Sequence, residues 1–147
     1  RGAMPAPLSR GMRYVTPDPR TGSACKRWHL MLRWLVRPDD GCDLGAWSRL
    51  SPSRLVMPLD THTARLARWL GLSERKTVDY RMAREVTNAL ARVRPDDPVC
   101  YDMPLCHLGI SGRCLHRFDA EVCGACDLRG TCRWTRGARL IPSVDPA

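Results

Sequence analysis

Residues 114–132 read CLHRFDAEVCGACDLRGTC and contain four of the eight cysteines of the chain. Eight, two and five residues separate these four cysteines in turn. A Cys-x2-Cys pair lets two sulfurs converge from one turn, and four thiolates can enclose one metal centre when the loop folds back on itself. The spacing therefore predicts a metal site whose ligands are Cys114, Cys123, Cys126 and Cys132.

The number of Cys-x2-Cys pairs bears on which metal this site holds. Common zinc modules use two such pairs joined by a longer loop, whereas residues 114–132 contain only one pair. The arrangement favours a [4Fe–4S] cluster, with zinc as the alternative and with His107 or His116 as substitutes for a cysteine ligand. The other cysteines lie mostly in apolar helical patterns, so we expect small buried side chains at Cys25, Cys42, Cys100 and Cys106.

The balance of charge points to a polyanionic partner. The 147 residues include 24 Lys and Arg against 15 Asp and Glu, for a net charge of +9. An excess of this kind favours nucleic acid first and an anionic membrane second. Guanidinium groups that flank or lie within the cysteine run suit contacts to phosphate. They belong to Arg113, Arg117, Arg129 and Arg133.

The distribution of apolar residues predicts the compartment. No stretch approaches the roughly 20 apolar residues of a membrane span, and the first residues lack the apolar core of a signal peptide. Eight cysteines without a secretory signal fit a metal site in a reducing compartment better than disulfides. We therefore expect a cytoplasmic bacterial protein that is associated with the nucleoid and has no membrane partner.

Helical periodicity predicts an all-α fold, because no convincing alternating strand pattern is present. Ser23 is expected to cap a first helix that ends before Pro38. Asp43 is expected to cap a short helix over residues 44–50. Indoles at helical or core-like positions are expected in the core, and these are Trp28, Trp34, Trp47 and Trp69.

Three further helices are each expected to begin after an aspartate cap. The caps are Asp60, Asp79 and Asp97. The first of these helices is expected to end at Gly71 and the last at Gly109.

The pattern divides the chain into four parts. Residues 1–22 are rich in Pro, Gly and Arg, so little regular structure beyond one turn is expected there. A helical domain follows over residues 23–110. The cluster loop covers residues 111–136, and a basic tail covers residues 137–147.

Two segments of the predicted helical domain, together with the cysteine run, carry a resemblance to a known family. Residues 58–62 read PLDTH, and residues 106–114 read CHLGISGRC. With the cysteine run, which is similar to Cys-x6-Cys-x2-Cys-x5-Cys, they make residues 19–132 resemble the iron–sulfur branch of the helix-hairpin-helix DNA glycosylases, the endonuclease III-like proteins. The likeness is greatest to an uncharacterised bacterial family of this superfamily, in which PLDTH and the GSACKR of residues 22–27 are typical segments.

The resemblance implies a DNA glycosylase that flips and excises a damaged or modified base from double-stranded DNA in base excision repair, with or without a lyase step. By the matched motifs, Asp60 is the catalytic carboxylate and Lys26 the candidate nucleophile, and the cofactor is a [4Fe–4S] cluster. The resemblance also implies DNA contacts from the turn before the Lys26 helix. These contacts involve Gly22, Ser23 and Arg27, alongside the arginines of the cluster loop.

The chain also departs from the family pattern. The usual hairpin signature, Leu-Pro-Gly-Val-Gly-x-Lys-Thr-Ala, is replaced by RTGSACK at residues 20–26, and Lys26 and Asp60 are 34 residues apart. The 25 residues before Lys26 are too few for the six-helix barrel that supplies half of the family's base pocket. We therefore expect a helix-hairpin-helix-type domain without the barrel, either as a C-terminal portion or with a partner chain that supplies the other half.

Two other hypotheses stay open on the residues alone. The first is a non-catalytic DNA-binding module with a structural iron–sulfur or zinc centre. The second is a metal-stapled helical domain that binds protein. In both, Asp60 is an ordinary helix cap and Lys26 an ordinary surface charge or phosphate contact.

Overall fold

The computed structural model describes residues 9–138, with side chains to residue 135. This part consists of helices and turns without a strand, so the predicted all-α class is confirmed there. None of its helices has the length and apolar character that crossing a membrane requires. The helices are α1 (Arg10–Val15), α2 (Lys26–Val36), α3 (Thr61–Trp69), α4 (Tyr80–Ala91), α5 (Asp102–Ile110), α6 (Ala120–Gly124) and α7 (Arg133–Ala138), with 3₁₀ turns at Pro19–Thr21, Pro52–Arg54 and Pro98–Tyr101.

Aspartate caps fix where two of the longer helices begin. Asp60 accepts a hydrogen bond from the Thr63 N–H at the start of α3, and Asp79 accepts one from the Met82 N–H at the start of α4. Gly71 follows the end of α3 with a φ of +72°, a left-handed conformation that glycine adopts without steric cost. The predictions for these helix ends are confirmed.

The main core lies between α3, α4, α5 and the segment that precedes α3. Its buried members include Met57, Leu59, Ala64, Ala67, Met82, Val86 and Leu105. Gly109 was predicted to end α5, and this is wrong, because it lies inside the helix. A Cβ atom at Gly109 would lie 3.4 Å from Leu66 Cδ1 and 3.6 Å from His62 Cβ, so α5 lies against α3 at this position.

Helix α2 turns a largely polar face towards the protein interior. Its buried residues are His29, Arg33 and Val36. The prediction that all four indoles lie in the core is wrong. Trp28, Trp34 and Trp47 are exposed, and Trp69 is half-buried. On α2 the cause is the buried Arg33, whose partners Asp43 and Asp102 hold its side of the helix inward and leave Trp28 and Trp34 towards solvent.

Helix α2 begins at Lys26 and is not capped by Ser23, so that prediction is also wrong. The Ser23 hydroxyl accepts a hydrogen bond from the Cys25 N–H at 3.1 Å and closes a turn before the helix. Cys25 is the N-cap residue, with a φ of +51° and no side-chain cap bond. A left-handed backbone at a non-glycine residue costs about 1–2 kcal/mol, so the surrounding structure must hold the buried Cys25 in place.

A chain of buried ion pairs joins α2 to the segments around it. Arg33 donates to Asp43 at 3.0 Å and also to Asp102. Arg37 donates to Asp97 at 2.9 Å and also to Asp43. Burial disfavours charge on Arg37, but the hydrogen bonds to Asp97 and Asp43 outweigh burial and raise its pKa. The order Asp102–Arg33–Asp43–Arg37–Asp97 therefore alternates in charge throughout.

The same ion pairs account for two predictions that are wrong or incomplete. Asp43 binds two arginines instead of capping a helix, and residues 44–50 form none. Asp97 precedes the Pro98–Tyr101 turn as predicted, but its carboxylate binds Arg37 and makes no cap bond. The α-helix begins only at Asp102.

The predicted division of the chain needs some additions. Residues 10–15 of the irregular N-terminal segment form α1, where only a turn was predicted. The cluster loop contains α6, and α7 spans its boundary with the tail. Residues 139–147 of the predicted tail lie outside the described residues.

Replacing Asp43 by Asn is expected to destabilise the protein by about 3–5 kcal/mol, because it leaves the buried Arg33 and the half-buried Arg37 without their shared buried carboxylate. Urea denaturation followed by circular dichroism measures this loss. Asp40→Asn is the matched control, since Asp40 is 45% exposed and its bridge to Arg37 should contribute no more than about 1 kcal/mol. Equal midpoints for the two variants would contradict a structural role for the buried network.

Candidate active site and cysteine loop

The two residues assigned to catalysis by resemblance lie together in the structure. The Lys26 Nζ is 2.8 Å from Asp60 Oδ2, although the residues are 34 positions apart. Lys26 is the first residue of α2, and Asp60 is the N-cap of α3. The other Asp60 oxygen, Oδ1, accepts hydrogen bonds from Thr63 N–H and Oγ1–H at 2.8 and 3.0 Å. The carboxylate is thus fixed by its cap and turned towards the amine.

The electrostatics of this pair keep Asp60 ionised. Burial alone would raise the pKa of Asp60, but the hydrogen bonds from Lys26 and Thr63 outweigh burial and lower it to about 2. The Lys26 and Asp60 side chains are 41% and 24% exposed, so a molecule from solvent can reach both. The pair therefore offers a fixed negative charge and an amine at one accessible point.

Two residues that the sequence did not single out for this site lie next to it. Burial raises the pKa of Asp102, and the nearby Asp60 adds to the rise, while Arg33 and Lys26 oppose it. Burial also raises the pKa of the Cys106 thiol, with contributions from Asp102 and Asp60. One feature of the sequence indicates a buried carboxylate. Arg33 is the sole charge in an apolar run, and a buried arginine needs an anionic partner.

Cys114 lies within electrostatic reach of the other three cysteines of the run. Burial raises the pKa of the Cys114 thiol, and the other three cysteines of the run add to the rise. The His116 N–H donates to the Cys114 sulfur and opposes it. A second backbone N–H donates a hydrogen bond to sulfur, from Asp119 to Cys123 Sγ at 3.5 Å. Within the described residues, no three His, Cys, Asp or Glu side chains form a group that could hold one metal ion.

The cysteines outside the run differ in burial. Cys25 is buried as predicted, and Cys100 and Cys106 are half-buried. The prediction for Cys42 is wrong, because it is exposed on the loop after α2. All eight cysteines are free thiols.

Rings on both sides of the cysteine loop dock it against α3. The His116 ring lies 5.3 Å from the Trp69 ring and 6.1 Å from the His62 ring, and Trp134 meets Trp69 edge-on at 6.4 Å. His116 Nε2 also hydrogen-bonds the Gly109 carbonyl at 3.1 Å, with a φ of +57° at His116. His116 and Trp134 each follow a cysteine of the run by two positions. The shape of the loop is therefore coupled to the helix that Asp60 caps.

An open groove of about 860 Å³ separates α5 from the cysteine loop. Its walls include His107 and Leu108 on α5 and Val122 and Cys126 on the loop. Cys126 therefore borders an open space on the side of α5 where His107 lies.

The arginines predicted to bind DNA fall into two groups. Some are engaged within the chain. Arg27 donates to the Tyr14 carbonyl and covers the Tyr14 ring at 3.9 Å, and Arg129 donates to the Gly124 carbonyl. Arg133 pairs with Glu74. The side chains of Arg113 and Arg117 are exposed and make no hydrogen bond or ion pair within residues 9–138.

The predicted turn before α2 is partly open to solvent. Gly22 is exposed with a φ of +84°, and Ser23 is half-buried and holds the Cys25 N–H. The Gly22 N–H is bonded to the Pro19 carbonyl. This turn, the Lys26–Asp60 pair and the N-termini of α2 and α3 form one region of the molecule.

The fold and the site define a helical protein with an accessible lysine–aspartate pair and a cysteine-rich loop docked beside it. The chain belongs to the family described as "Protein of unknown function (DUF2400)", which it matches over residues 4–111. The matched range includes Lys26, Asp60 and Asp102 and ends before Cys114. No curated protein and no solved structure matches the chain significantly.

Proposed function

We propose that the protein is a DNA glycosylase with an associated lyase step, acting on a damaged or modified base in base excision repair. The observation that carries the proposal is the 2.8 Å contact between Lys26 Nζ and Asp60 Oδ2. An amine beside a fixed carboxylate is the pairing that a lysine nucleophile needs when positive charge develops on a sugar. The resemblance of residues 19–132 to the iron–sulfur helix-hairpin-helix glycosylases assigns the same two residues independently.

The proposed chemistry begins after the target nucleotide has turned out of the duplex. The Lys26 ammonium loses a proton to water, and its lone pair attacks the sugar C1′ carbon while the base leaves with the electrons of the glycosidic bond and takes up a proton from water. The sugar ring then opens, and the amine and C1′ are joined as a Schiff base. Asp60 stabilises the positive charge on the sugar, because its low pKa keeps it ionised at neutral pH.

We propose that the cysteine loop holds a [4Fe–4S] cluster, with a single zinc ion as the alternative. Sulfurs around one tetrahedral zinc are roughly 3.8 Å apart, because each Zn–S bond is about 2.3 Å long. A cluster of four irons is wider, so its thiolates stand further apart. What supports the cluster is the spacing of the run, which has one Cys-x2-Cys pair where common zinc modules have two. Cys114, Cys123, Cys126 and Cys132 would hold the cluster, which would fix the loop against α3.

Base release from damaged duplexes tests the proposed activity. Duplexes with oxidised, deaminated or alkylated bases are incubated with protein purified without oxygen, and the freed base is measured by mass spectrometry. Lys26→Gln is expected to abolish base release and the strand cleavage that follows it, and Lys76→Gln, which changes the only other lysine, is expected to leave both unchanged. DNA binding with no base released from any duplex would leave either a non-catalytic DNA-binding module or a chain that needs its partner half for catalysis.

The free arginines of the cysteine loop should contact the DNA backbone. Replacing Arg113 and Arg117 together by Ala is expected to weaken binding to all duplex sequences and to reduce the slope of log K against log salt by about 2. Fluorescence anisotropy over a range of salt concentrations measures the slope. Arg133→Ala should change the slope less, because Glu74 already neutralises Arg133. A slope that the double variant does not change would place the DNA elsewhere.

The exposed face of α2 supports the further proposal that a partner half completes the base pocket. Trp28, Trp34 and Trp47 are 38%, 43% and 47% exposed, and Leu44 beside them is 66% exposed. The Leu44 and Trp47 N–H groups bond the Trp34 and Leu35 carbonyls, so the loop that carries Leu44 and Trp47 lies against the end of α2. Large exposed apolar surfaces are typical of interfaces. Base release by the chain alone would show that no partner half is required.

A further inference from the structure

Helix α1 lies outside the hydrophobic core. None of its six residues is buried, and its apolar side chains Met12, Tyr14 and Val15 are all exposed. Most helical stability in proteins comes from an apolar face that packs on other elements, so a short helix that buries nothing gains little from packing. Its place in the structure must therefore come from specific contacts.

Two contacts attach α1 and the residues after it to the start of α2. The Arg27 guanidinium donates to the Tyr14 carbonyl at 3.0 Å and lies over the Tyr14 ring, 3.9 Å from its centroid. The Cys25 thiol donates to the Pro17 carbonyl at 3.5 Å. Cys25 and Arg27 are the chain neighbours of Lys26. Both contacts therefore hold the α1 segment against the residues that flank the proposed nucleophile.

The Tyr14 ring has one covered face and one open face. Arg27 covers the first, and Tyr14 is still 67% exposed, so within the described part of the chain the opposite face is open to solvent. A guanidinium on one face fixes the ring, so a flat ligand that stacks on the other face loses little further conformational entropy. The Arg27 charge also attracts a ligand that carries phosphate. A flat aromatic group joined to phosphate is the chemistry of a nucleotide.

We propose that the Tyr14 ring, backed by Arg27, is a stacking platform for an unpaired nucleobase of the bound DNA. A base that has left the duplex exposes both of its faces, and proteins bind such bases on aromatic side chains. Arg27 then acts on DNA through Tyr14, in place of the direct contact expected from the sequence. The inference rests on the proposed function for the flipping of the base, and Tyr14 takes no part in the chemical steps of Lys26 and Asp60.

Binding to two DNA duplexes tests the proposal without any chemical step. One duplex is fully paired, and the other is identical except for one extra, unpaired adenine. Fluorescence anisotropy gives the ratio of the two affinities, in which the contribution of the protein's charge largely cancels. Tyr14→Ala should lower the preference for the unpaired base by about 5- to 20-fold, at the lower end of the range for one base stacked on one aromatic ring.

Photocrosslinking identifies the ring that meets the base. An unpaired 5-iodouracil in place of the adenine reacts on irradiation with an aromatic ring that lies against it, and peptide mapping then locates the adduct. We expect the adduct on Tyr14. An adduct on an exposed indole of α2, Trp28 or Trp34, would place the base elsewhere and overturn the inference.

Three further variants separate stacking from other losses. Tyr14→Phe keeps the ring without its hydroxyl and should retain the affinity ratio of the wild type. Met12→Ala removes another exposed side chain from the same helix and should also retain it. Arg27→Ala removes the support of the ring and should lower the ratio by less than Tyr14→Ala does. Because Tyr14 lies outside the core, the circular dichroism of Tyr14→Ala should match that of the wild type.

A ratio in Tyr14→Ala within about 2-fold of the wild type would overturn the inference, and so would an equal fall in Met12→Ala. A wild type that binds both duplexes equally would also overturn it and leave the apolar side chains of α1 to the proposed partner half. These results are independent of base release. A preference that depends on Tyr14 in a protein that releases no base would retain the platform without the glycosylase. Base release with a ratio that Tyr14→Ala does not change would do the reverse.

Discussion

Asp60→Asn is expected to reduce base release by about 10²–10³-fold, the loss that follows removal of one preorganised electrostatic partner from an active site. Asparagine is as good a helix cap as aspartate, so the start of α3 and its bond to Thr63 should survive. What is lost is the negative charge beside Lys26 and its contact at 2.8 Å. Single-turnover kinetics on a damaged duplex measure the effect, and DNA affinity should change by less than about 3-fold.

The pKa of Asp60 adds a pH dependence to this result. Its folded value of about 2 lies below the ordinary value of 3.8, so its ionised form stabilises the fold. That contribution is complete above about pH 4 and is lost as the pH falls towards 2. An acid limb of the wild-type rate above pH 4 must then come from another group. If Asp60→Asn released base as fast as the wild type, Asp60 would be a helix cap alone.

Cys126→Ser is expected to remove the proposed cluster and to release the cysteine loop from α3. The wild type should contain about four irons per chain and show a broad absorption band at about 400 nm, and the variant should lose both. Without the cluster the ring contacts of His116 and Trp134 with Trp69 should weaken. Amide hydrogen exchange over residues 111–135 should therefore be faster in the variant.

Cys42→Ser is the matched control for this prediction. Cys42 is exposed and lies outside the run, so its replacement should leave iron content and exchange rates unchanged. A colourless wild-type protein with one zinc would contradict the cluster and detach the cysteine run from the iron–sulfur glycosylases. Faster exchange in both variants would mean that cysteine loss in general, and not cluster loss, loosens the loop.

Local signals in the sequence predicted the starts of α3 and α4 correctly, but they missed the start of α2 and the face that this helix buries. Asp60 and Asp79 were found because a cap acts on amides two or three residues away. The buried face of α2 was missed because periodicity places the more apolar stripe inside. Here the partners that hold Arg33 inward come from residues 43 and 102, and their pairing is a tertiary contact that no local window contains.

The candidate site was predictable only in part for the same reason. The motif around Asp60 and the turn before Lys26 suggested each residue through the resemblance, and the structure brings them together over 34 residues. Asp102 belongs to no motif. It was missed because its burial and its ion pair with Arg33 are tertiary features. Asp43 was misassigned because a capping pattern and a buried ion-pair partner look alike in one sequence.

The most direct test of the central claim is borohydride trapping on a duplex that carries one abasic site. Reduction of a Schiff base joins the DNA to the attacking amine permanently, and peptide mapping then identifies the lysine. We predict one covalent complex with the DNA on Lys26, absent in Lys26→Gln and retained in Lys76→Gln. A trapped complex on Lys76, or none with protein that binds the duplex, would contradict the assignment of Lys26 and Asp60 as the catalytic pair.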